Sequence, residues 1–449
     1  MIGIGGSGMS AAAQVLVELG AIVTGSDLTS FPGLGELVSR GVRVSIGHDA
    51  GFLDARTDLV VISAAIPESN PELAGARRRG LPVLKYAQLL GVLTSARRTV
   101  AIAGTHGKTT TTAMCAHLLR SAGLAPSFIC GGRSTQLGGA SGTGVGSHFV
   151  VESCEFDRSF LHLQPHSAAI LNVESDHLDC FRDLTELIEA FGLFAANVAS
   201  DGLLVCNAQS TGARRAAGQA AAPVQTFAIE AEADWQAVGL REDRGLFSFD
   251  VLFRGSAVLS TSLVVPGRHN VENALAATAL AVHAGANPVN TAEALSRFSG
   301  VDRRMSWRGA GSGVNIIDDY AHHPTEIRVT IEAARSRYRP RRTWVVFQPH
   351  QYERTRHFLD AFASSLAAAD EIVVPDIYGA RESSGDSTHV RAEDLVSRIC
   401  GSGGRARYAS TLMEAADHVA SNVSAGDLVL TLGAGDVWKV ADELVERIR

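Results

Sequence analysis

The segment that most constrains the fold is a glycine-rich loop, AGTHGKTT at residues 103–110, which lies between an apolar run and an alanine-rich helical pattern. This order predicts a strand, a phosphate-binding loop and a helix, the repeating unit of parallel α/β sheets. Glycines allow backbone N–H groups to approach phosphate oxygens, and the helix N-terminus adds a partial positive charge. Because Lys108 can neutralise a transferring phosphate and Thr109 can hold magnesium, the segment predicts an ATP site.

The loop departs from the usual Walker pattern, because its glycine and lysine are closer together, and an ordinary glycine turn before a helix is the alternative interpretation. Under the functional interpretation, Lys108 is also a catalytic residue, since its charge would lie next to the transferring group. The predicted nucleotide-binding residues of the loop are Gly104, Thr105, His106, Gly107, Lys108, Thr109 and Thr110.

Length and composition exclude several classes of protein. A chain of 449 residues, 46% of them apolar, suggests about three domains of roughly 150 residues, each able to bury a core. The net charge of −7, without a lysine or arginine run, argues against a nucleic-acid partner. No apolar stretch is long enough to cross a bilayer, and the N-terminal pattern is not a secretory signal. We therefore expect a cytoplasmic protein that binds small molecules, with no membrane or nucleic-acid partner, as a monomer or weak homodimer.

Residues 1–93 form the first predicted domain, in which apolar runs alternate with helical patterns and indicate a parallel sheet. A second glycine loop, GIGGSGM at residues 3–9, joins its first strand to its first helix, and Asp27 lies where an acidic residue reaches a ribose hydroxyl. A nicotinamide dinucleotide site and a purely structural turn both fit these residues. Only two residues precede Gly3, so we expect the native chain to start upstream of Met1. The predicted strands lie near residues 2–5, 21–27, 42–47, 59–66 and 82–85.

Residues 94–299 form the second predicted domain, with candidate metal ligands at the ends of neighbouring strands. The apolar strand near residues 147–152 ends in Glu152, where a magnesium-bound carboxylate would face the phosphate loop. The strand near residues 168–173 runs into a segment that contains His177, a candidate second metal ligand whose alternative is a solvated loop histidine.

The rest of this domain has two further features. Short alternating strands from Gln225 to Val265 predict an antiparallel extension with one buried face. A helix from Val271 follows, and Asn270 and Asn273 near its start could offer amides to an adenine edge, although helix capping is an equal alternative for Asn270.

Residues 300–449 form the third predicted domain, again with alternating strands and helices. Its first strand runs into DDYAHHP at residues 318–324, which brings paired acids and paired histidines to one strand end. The next strand ends near His350 and Arg354. Unpaired acidic, imidazole and guanidinium groups are too costly to bury, so they predict a polar cleft at this edge. The predicted strands lie near residues 314–318, 343–348, 372–376 and 428–432.

Taken in chain order, these motifs resemble those of the Mur ligases over essentially the whole length of the chain. The resemblance implies a three-domain α/β fold: a Rossmann-like UDP-binding domain, a central P-loop-type ATPase domain with an antiparallel extension, and a C-terminal Rossmann-like domain. It also implies that the first glycine loop holds the UDP diphosphate and not NAD. The matching segments are residues 3–9, 104–110, 268–273, 302–304, 318–324 and 347–354.

The resemblance further implies a reaction that depends on ATP and Mg²⁺ and joins L-alanine to the lactyl carboxylate of UDP-N-acetylmuramate through an acyl phosphate, a step of peptidoglycan precursor synthesis. The run FQPH at residues 347–350, with Arg354, is more similar to the alanine-adding members than to the recycling members, which attach a tripeptide. A NAD-dependent oxidoreductase is the alternative from another class, but it leaves Lys108, Glu152 and His177 without a role.

Residue roles follow from the same resemblance. Arg303 is expected to reach the γ-phosphate when the domains close, and His322 is the candidate acceptor of the alanine proton, unless it only orients alanine or the departing phosphate takes the proton. Gln351 stands where the family usually has arginine, which predicts one missing contact. The implied nucleotide-binding residues outside the loop are His269, Asn270, Asn273, Arg303 and Asp319. The implied substrate-binding residues are Gly5, Gly6, Ser7, Gly8, Met9, Asp27, Ser63, His322, His350 and Arg354, and the implied metal ligands are Thr109, Glu152 and His177.

Overall fold

The computed structural model describes residues 1–176, 180–380 and 390–448. In it, strands that end in glycine loops alternate with helices that have apolar faces. They form three α/β units, each built around parallel strands, which confirms the predicted fold class. His177 lies outside the described residues. Among the residues that are described, no helix is long and apolar enough to span a membrane.

The N-terminal unit has a short parallel sheet in which Ile2 bridges Ser26 and Ile62. The strand predicted near residues 2–5 is wrong in extent. It is reduced to this bridge because Gly3 takes a left-handed φ of +78° and turns the backbone toward the first helix. The strands are β1 (Thr24–Asp27), β2 (Arg43–Ile46), β3 (Val60–Ile62) and β4 (Val83–Lys85), and the helices are α1 (Ser7–Glu18), α2 (Leu34–Ser39), α3 (Pro71–Arg78) and α4 (Tyr86–Ser95), with a 3₁₀ turn at Ala50–Phe52.

The middle unit is built on one large sheet, whose strands are β5 (Arg98–Ala103), β6 (Ser127–Ser134), β7 (Gly139–Gly142), β8 (His148–Glu152), β9 (Ser167–Ile170), β10 (Leu203–Asn207), β11 (Val224–Ile229), β12 (Trp235–Asp243), β13 (Leu246–Phe253) and β14 (Ser256–Ser262). Their order across the sheet is β14-β13-β12-β11-β10-β9-β5-β8-β6-β7, which places β5 between β8 and β9. The helices are α5 (Lys108–Ser121), α6 (Leu184–Ala196), α7 (Thr211–Ala217), α8 (Arg268–His283) and α9 (Pro288–Arg297), with 3₁₀ segments at Thr135–Leu137 and Phe156–His162.

Only part of the predicted antiparallel extension is antiparallel. Strands β12, β13 and β14 pair antiparallel, but β11 pairs parallel with both β10 and β12. The reason is burial, because the consecutive residues Phe227 and Ala228 are buried on opposite faces of β11, as in a central parallel strand. Helix α8 begins at Arg268 instead of Val271, directly after Gly267 at φ +101°.

Helices cover both faces of the middle sheet. Helices α5 and α8 pack together on one face, where Leu118 and Leu275 are buried in the same core. On the other face, α6 lies in a second core with α1 of the N-terminal unit, which contains both Phe191 and Val15. This shared core fixes the N-terminal unit against the middle unit.

The C-terminal unit contains the strands β15 (Ser306–Gly311), β16 (Val314–Asp319), β17 (Thr343–Phe347), β18 (Glu371–Pro375), β19 (Ala406–Ala409) and β20 (Leu428–Leu432). Their order is β15-β16-β20-β17-β18-β19, and only β15 pairs antiparallel among them. The carboxyl ends of β16, β20 and β17 lie at one edge, so the segments that follow them meet there. The helices are α10 (Pro324–Tyr338), α11 (Tyr352–His357), α12 (Leu359–Leu366), α13 (Ala392–Gly401), α14 (Leu412–Asn422) and α15 (Trp438–Arg447).

Candidate active site

The glycine loop between β5 and α5 is shaped for an anion. Gly107, at φ +79°, is the N-cap of α5, and a Cβ at this position would lie 2.5 Å from Oδ1 of Asn273. A Cβ at Gly104, whose φ is +150°, would lie 2.9 Å from Leu171. The first turn of α5, all of it described, contains no acidic residue, so its N–H groups present a positive edge to a phosphate.

Lys108 points back over the loop. Its Nζ donates to the carbonyl oxygens of Gly104 at 2.5 Å and Thr105 at 3.1 Å, and it pairs with Glu155 at 3.0 Å. Burial disfavours the ammonium charge, but the neighbouring acidic groups, Glu155 foremost, together outweigh burial and raise the pKa of Lys108 above its ordinary value. Lys108 therefore brings a full positive charge to the loop at neutral pH.

Thr109 and Glu152 lie side by side next to the loop. The hydroxyl of Thr109 donates to Oε1 of Glu152 at 3.0 Å, and the N–H of Gly131 donates to Oε2 at 2.6 Å. A Cβ at Gly131 would lie 2.7 Å from the carboxylate, so only glycine allows this approach. A hydroxyl and a carboxylate are the hard oxygen ligands that Mg²⁺ prefers, so this donor set fits the metal.

His106 joins the phosphate loop to the C-terminal unit. Its Nε2 lies 3.4 Å from Oε2 of Glu174, and its Nδ1 lies 3.4 Å from Oε1 of Glu326. Burial disfavours the imidazolium, but the two carboxylates raise the pKa of His106 to about 9. The His106 ring in turn lowers the pKa of Glu174 to about 2. His106 is therefore an imidazolium at neutral pH, held between carboxylates of two different units.

The ligand atoms of His106, Glu174 and His323 lie within 4.8 Å of one another, a spacing that a metal ion could bridge. Hydrogen bonds already use several of these atoms. Nε2 of His323 lies 3.1 Å from the carbonyl oxygen of Ser175, and its Nδ1 accepts from the N–H of Thr325 at 3.2 Å. The hydroxyl of Thr325 donates to Glu174 at 2.7 Å. Together with the raised pKa of His106, these bonds favour an ion-pair network over a metal centre.

A buried ion pair connects the middle unit to the C-terminal unit. Arg354 donates to Oδ1 of Asp176 from Nη2 at 2.6 Å and from Nε at 3.1 Å. Nearby, His350 stacks on Tyr378 with ring centres 5.6 Å apart and lies 6.1 Å from the ring of His322. The structure thus gathers His322, His350 and Arg354 at one edge of the C-terminal sheet.

His322 is held in one tautomer. Its Nδ1 lies 3.0 Å from the carbonyl oxygen of Tyr320, which can only accept, so Nδ1 carries the proton and Nε2 keeps its lone pair. Burial lowers the pKa of His322 to about 3, although the carboxylate of Glu326 opposes this shift. At neutral pH the ring is therefore uncharged, and the Nε2 lone pair is not taken up by a proton.

Arg303 is bound within the C-terminal unit. Its Nε donates to Asp318 at 2.9 Å, and its Nη2 donates to the carbonyl oxygen of Gly433 at 2.7 Å. The guanidinium also lies 5.0 Å from the ring centre of Tyr320. These partners hold the side chain between β16 and β20, and its contact with the γ-phosphate stays a prediction.

Arg304, to which the sequence analysis assigned no role, lies toward the phosphate loop. Its Nη1 is 3.8 Å from Glu326, the carboxylate that also contacts that loop. Burial opposes the charge, but Glu326, Asp319 and Glu152 raise the pKa of Arg304. The attraction to Glu152 places Arg304 within electrostatic reach of the candidate magnesium ligand.

Asp319 shapes the turn after β16. Its Oδ2 accepts from the N–H of Met305 at 2.7 Å, and its Oδ1 accepts from the N–H of Ala321 at 2.8 Å. Burial raises the pKa of Asp319 to about 6, although Arg304 and these two bonds oppose the shift. Because backbone groups engage both oxygens, Asp319 positions the segment that carries His322, and its contact with nucleotide stays a prediction.

The residues predicted to bind adenine lie near the start of α8, behind the phosphate loop. Asn273 accepts from the hydroxyl of Thr111 at 3.1 Å and donates to Asn270 at 3.0 Å, and Asn270 donates to the carbonyl oxygen of Pro266 at 2.7 Å. Burial lowers the pKa of His269 to about 4, so its ring is neutral at pH 7. These amides hold α8 against α5, and a direct contact with adenine stays a prediction.

The glycine loop of the N-terminal unit is tightly packed. The N–H of Gly5 donates to Oδ2 of Asp27 at 2.8 Å, and a Cβ at Gly5 would lie 2.5 Å from Phe31. A Cβ at Gly8 would lie 2.8 Å from Tyr86. The carboxylate of Asp27 therefore holds the loop itself, and its contact with a ribose stays a prediction.

The other residues predicted to bind substrate near this loop have different surroundings. Gly6 is the N-cap of α1, which begins at Ser7 and has no acidic residue in its first turn, a turn that is fully described. Met9 is 3% exposed and belongs to the core shared with the middle unit. Ser63 directly follows β3, and its hydroxyl accepts from the N–H of Ala65 at 3.4 Å. The helix N-terminus at Ser7 is the part of this loop best suited to a diphosphate.

Three residues of the site, Glu155, Arg304 and Glu326, are not assigned a role by the sequence motifs. Glu155 stands in the acidic run that begins at Glu152, and Arg304 adjoins Arg303, so both lie next to residues that drew attention. Glu326 lies in the first turn of α10, where an acid commonly stabilises the positive end of a helix. The pattern alone therefore does not separate it from an ordinary helical acid.

Comparison with known proteins identifies the family. Three family profiles match the chain: "Mur ligase family, catalytic domain" over residues 1–98, "Mur ligase middle domain" over 102–281, and "Mur ligase, glutamate ligase domain" over 303–435. A relative from Paenarthrobacter aurescens strain TC1, named UDP-N-acetylmuramate–L-alanine ligase, is 42% identical over 100% of this chain and 96% of its own length. A relative of the same name from Caldanaerobacter subterraneus subsp. tengcongensis is 38% identical over 99% of this chain and 96% of its own length.

Solved structures agree with the sequence relatives. The UDP-N-acetylmuramate-alanine ligase MurC from Thermotoga maritima matches with a TM-score of 0.85 and 30% identity, over 99% of this chain and 97% of that chain. A murein peptide ligase from Psychrobacter arcticus 273-4 matches with a TM-score of 0.77 and 26% identity, over 100% of this chain and 98% of that chain. These matches confirm the resemblance read from the motifs, and the chain is a member of the Mur ligase family.

Proposed function

We propose that the chain is an ATP-dependent ligase that joins L-alanine to the lactyl carboxylate of UDP-N-acetylmuramate in peptidoglycan precursor synthesis. The observation that carries the proposal is the link from the phosphate loop, through His106 and Glu326, to the neutral ring of His322. A phosphate-transfer site and a proton acceptor are thus parts of one connected network. Relatives that are named for this activity and match the chain nearly end to end support the proposal.

The first step activates the carboxylate, which is a weak acylating agent. Its oxygen attacks the γ-phosphate of ATP, which forms an acyl phosphate and releases ADP. Lys108, Arg304 and the N-terminus of α5 provide positive charge before the attack, so little rearrangement is needed as negative charge spreads over the transferring group. Lys108 would exchange its carbonyl partners for phosphate oxygens.

Thr109 and Glu152 are the residues that would hold Mg²⁺. When bound, the metal would screen the charge on the phosphate oxygens. Glu152 is oriented beforehand by the N–H of Gly131, so the carboxylate is already directed beside the loop. His106 is an imidazolium and therefore serves the loop as a cation instead of a metal ligand.

The second step forms the amide. The alanine amine attacks the acyl carbon, and inorganic phosphate leaves. We assign Nε2 of His322 as the acceptor of the amine proton, because Nδ1–H is used by Tyr320 and the ring is neutral. His350 and Arg354, at the same edge of the sheet, are assigned to the alanine and muramoyl groups.

The N-terminal unit is assigned to the UDP portion of the substrate. The N-terminus of α1 at Ser7 offers its first-turn N–H groups to the diphosphate, in the way that α5 does for ATP. Glycine is needed at Gly5 and Gly8, because side chains there would collide with Phe31 and Tyr86.

A recycling ligase that attaches a tripeptide is the second candidate, because the Psychrobacter neighbour is named a murein peptide ligase. The alanine-adding neighbour matches better in structure, with a TM-score of 0.85 against 0.77. This TM-score and the full-length relatives named for alanine addition favour alanine as the acceptor.

Phosphate release from ATP in the presence of Mg²⁺ and UDP-N-acetylmuramate tests the proposal, with L-alanine or L-alanyl-γ-D-glutamyl-diaminopimelate as the acceptor. We expect release with alanine and a product with the mass of UDP-N-acetylmuramoyl-alanine. Release with the tripeptide alone would assign the chain to the recycling ligases. Release with neither acceptor would contradict the proposed substrates.

A further inference from the structure

Glu326, in the first turn of α10, lies where groups from two units converge. Its Oε1 is 3.4 Å from Nδ1 of His106 and 3.8 Å from Nη1 of Arg304, and its Oε2 accepts from the backbone N–H of His322 at 3.1 Å. The side chain is only 13% exposed. One carboxylate therefore contacts the phosphate loop and the predicted proton acceptor at the same time.

On the phosphate-loop side of this contact, His106 has two further partners. The backbone N–H of His106 donates to Oδ1 of Asn172 at 2.7 Å, and the ring is held from its other nitrogen by Glu174 at 3.4 Å. Lys108 follows two positions later on the same loop. The place of the His106 ring is therefore tied to the shape of the loop that binds phosphate.

The acceptor side is held by the same carboxylate. The Nδ1 of His322 lies 3.4 Å from Oε2 of Glu326 and 3.0 Å from the carbonyl oxygen of Tyr320. With its backbone N–H also bound to Glu326, His322 has both its main chain and its ring set by this one residue. A change in Glu326 would therefore move the Nε2 lone pair.

We propose that Glu326 is a positioning residue for the ligation step: by binding His106 across the boundary between units, it holds the nucleotide-loaded middle unit and the C-terminal unit closed together and orients His322 there. The inference rests on the proposed ligase function and adds to it a coupling between nucleotide site and acceptor site. Glu326 touches no reacting atom and acts through His106 and His322. Nucleotide binding itself depends on the loop and should survive its loss.

Glu326→Gln tests the proposal because it keeps the size of the side chain and removes its charge. Glu332→Gln is the matched control, on the same helix, where Glu332 is 56% exposed and pairs with Arg328 at 3.3 Å. For Glu326→Gln we expect kcat to fall at least about ten-fold, the KM for alanine to rise and the KM for ATP to change by less than about three-fold. Glu332→Gln should match the wild type. An unchanged kcat in Glu326→Gln would overturn the proposal.

The coupling is tested by combining Glu326→Gln with His106→Gln. Residues that act through one contact give non-additive effects, so we expect the double variant to be no slower than the worse single variant. A double variant whose loss equals the product of the two single losses would overturn the proposal. Glu326→Asp, which keeps the charge on a shorter stem, should retain more activity than Glu326→Gln, and this comparison stands even where the glutamine variant folds poorly.

A measurement without any acceptor separates this inference from the proposed substrates. Small-angle X-ray scattering of the full chain with Mg²⁺ and a non-hydrolysable ATP analogue reports closure of the units. We expect the wild type and Glu332→Gln to contract, and Glu326→Gln to bind the analogue and contract less. Equal contraction in all three proteins, or none in the wild type, would overturn the proposal. Failure of alanine as a substrate would affect only the proposed function.

Discussion

Arg354 and Asp176 form a buried ion pair that joins the C-terminal unit to the middle unit. Nη2 and Nε of Arg354 donate to the same carboxylate oxygen at 2.6 and 3.1 Å, and both side chains are 6% exposed. Removal of one partner from a buried pair leaves an unpaired charge and costs about 3–5 kcal/mol. Because this pair spans two units, the cost should weaken their closure more than the folding of either unit.

Asp176→Asn should therefore lower kcat by at least about ten-fold while the melting temperature changes little. Asp360→Asn is the matched control. Asp360 pairs with Arg398 at 3.0 Å, but the two side chains are 77% and 53% exposed, respectively. Steady-state kinetics and calorimetry measure both effects. Wild-type kcat in Asp176→Asn would show that the pair has no part in closure.

Gly107→Ala should weaken ATP binding. Gly107 and Gly123 have similar left-handed φ values, +79° and +76°, so alanine costs about 1–2 kcal/mol of backbone strain at either position. Only at Gly107 would the new Cβ collide, 2.5 Å from Asn273, whereas Gly123 has no atom of the described chain within 4 Å. Isothermal titration calorimetry should show at least about a ten-fold loss of affinity for Gly107→Ala. Equal affinities in the two variants would argue against this shape requirement.

Replacement of Arg304 should lower the rate of the reaction, whereas replacement of Arg303 should lower the stability of the protein. Arg304→Gln should lower kcat by about 100-fold, because it removes a charge directed toward the transferring phosphate. Arg303→Gln should mainly lower the melting temperature, because the fully buried Asp318 loses its cation and keeps, from the part of the chain that the structure describes, the hydroxyl of Thr431 at 2.7 Å. If Arg303→Gln instead lowers kcat and leaves the melting temperature unchanged, Arg303 is the residue that contacts the γ-phosphate.

Acid should destabilise the protein through buried histidines both at the site and far from the phosphate loop, and the distant ones can be changed without touching the site. His148 begins β8 and His283 ends α8, and burial, followed by the nearby charges of Arg98 and His166, lowers the pKa of both rings. A lowered pKa means that the unfolded chain binds more protons, so this stability is complete above the unfolded pKa of about 6.5 and is lost as the pH falls below it.

Denaturant unfolding at pH 7.5 and pH 5.5 measures this loss as a fall in the free energy of unfolding. His148→Gln should reduce the fall, because the variant has one fewer buried ring to protonate. His357→Gln, at an exposed position, is the control and should leave the fall unchanged. A fall that is the same in all three proteins would exclude His148 as its cause.

The strands that carry the site were predictable because they are buried on both faces. β5, β8 and β17 appear in the sequence as unbroken apolar runs, each followed by glycine or polar residues. The first strand was not predictable in extent, because the short run at Ile2 ends at Gly3, whose left-handed φ only the folded loop reveals.

The sequence does not predict which side chains of different units contact one another. Arg303 and Arg304 are chemically identical neighbours, and only the packing of the C-terminal unit directs one to Asp318 and the other to Glu326. Glu326 itself lies more than 200 positions along the chain from His106. Local pattern predicts the ends of strands, whereas docking of the units decides which charges meet.

The transfer of ¹⁸O from the lactyl carboxylate to phosphate most directly tests the central claim, that the chain is a ligase that works through an acyl phosphate. UDP-N-acetylmuramate carrying ¹⁸O at both lactyl carboxylate oxygens is turned over with ATP, Mg²⁺ and L-alanine, and the released phosphate is analysed by mass spectrometry. Attack of the carboxylate on the γ-phosphate predicts one ¹⁸O in each phosphate and one in the new amide. Phosphate without ¹⁸O, or no ¹⁸O-labelled amide, would contradict a ligase that works through an acyl phosphate.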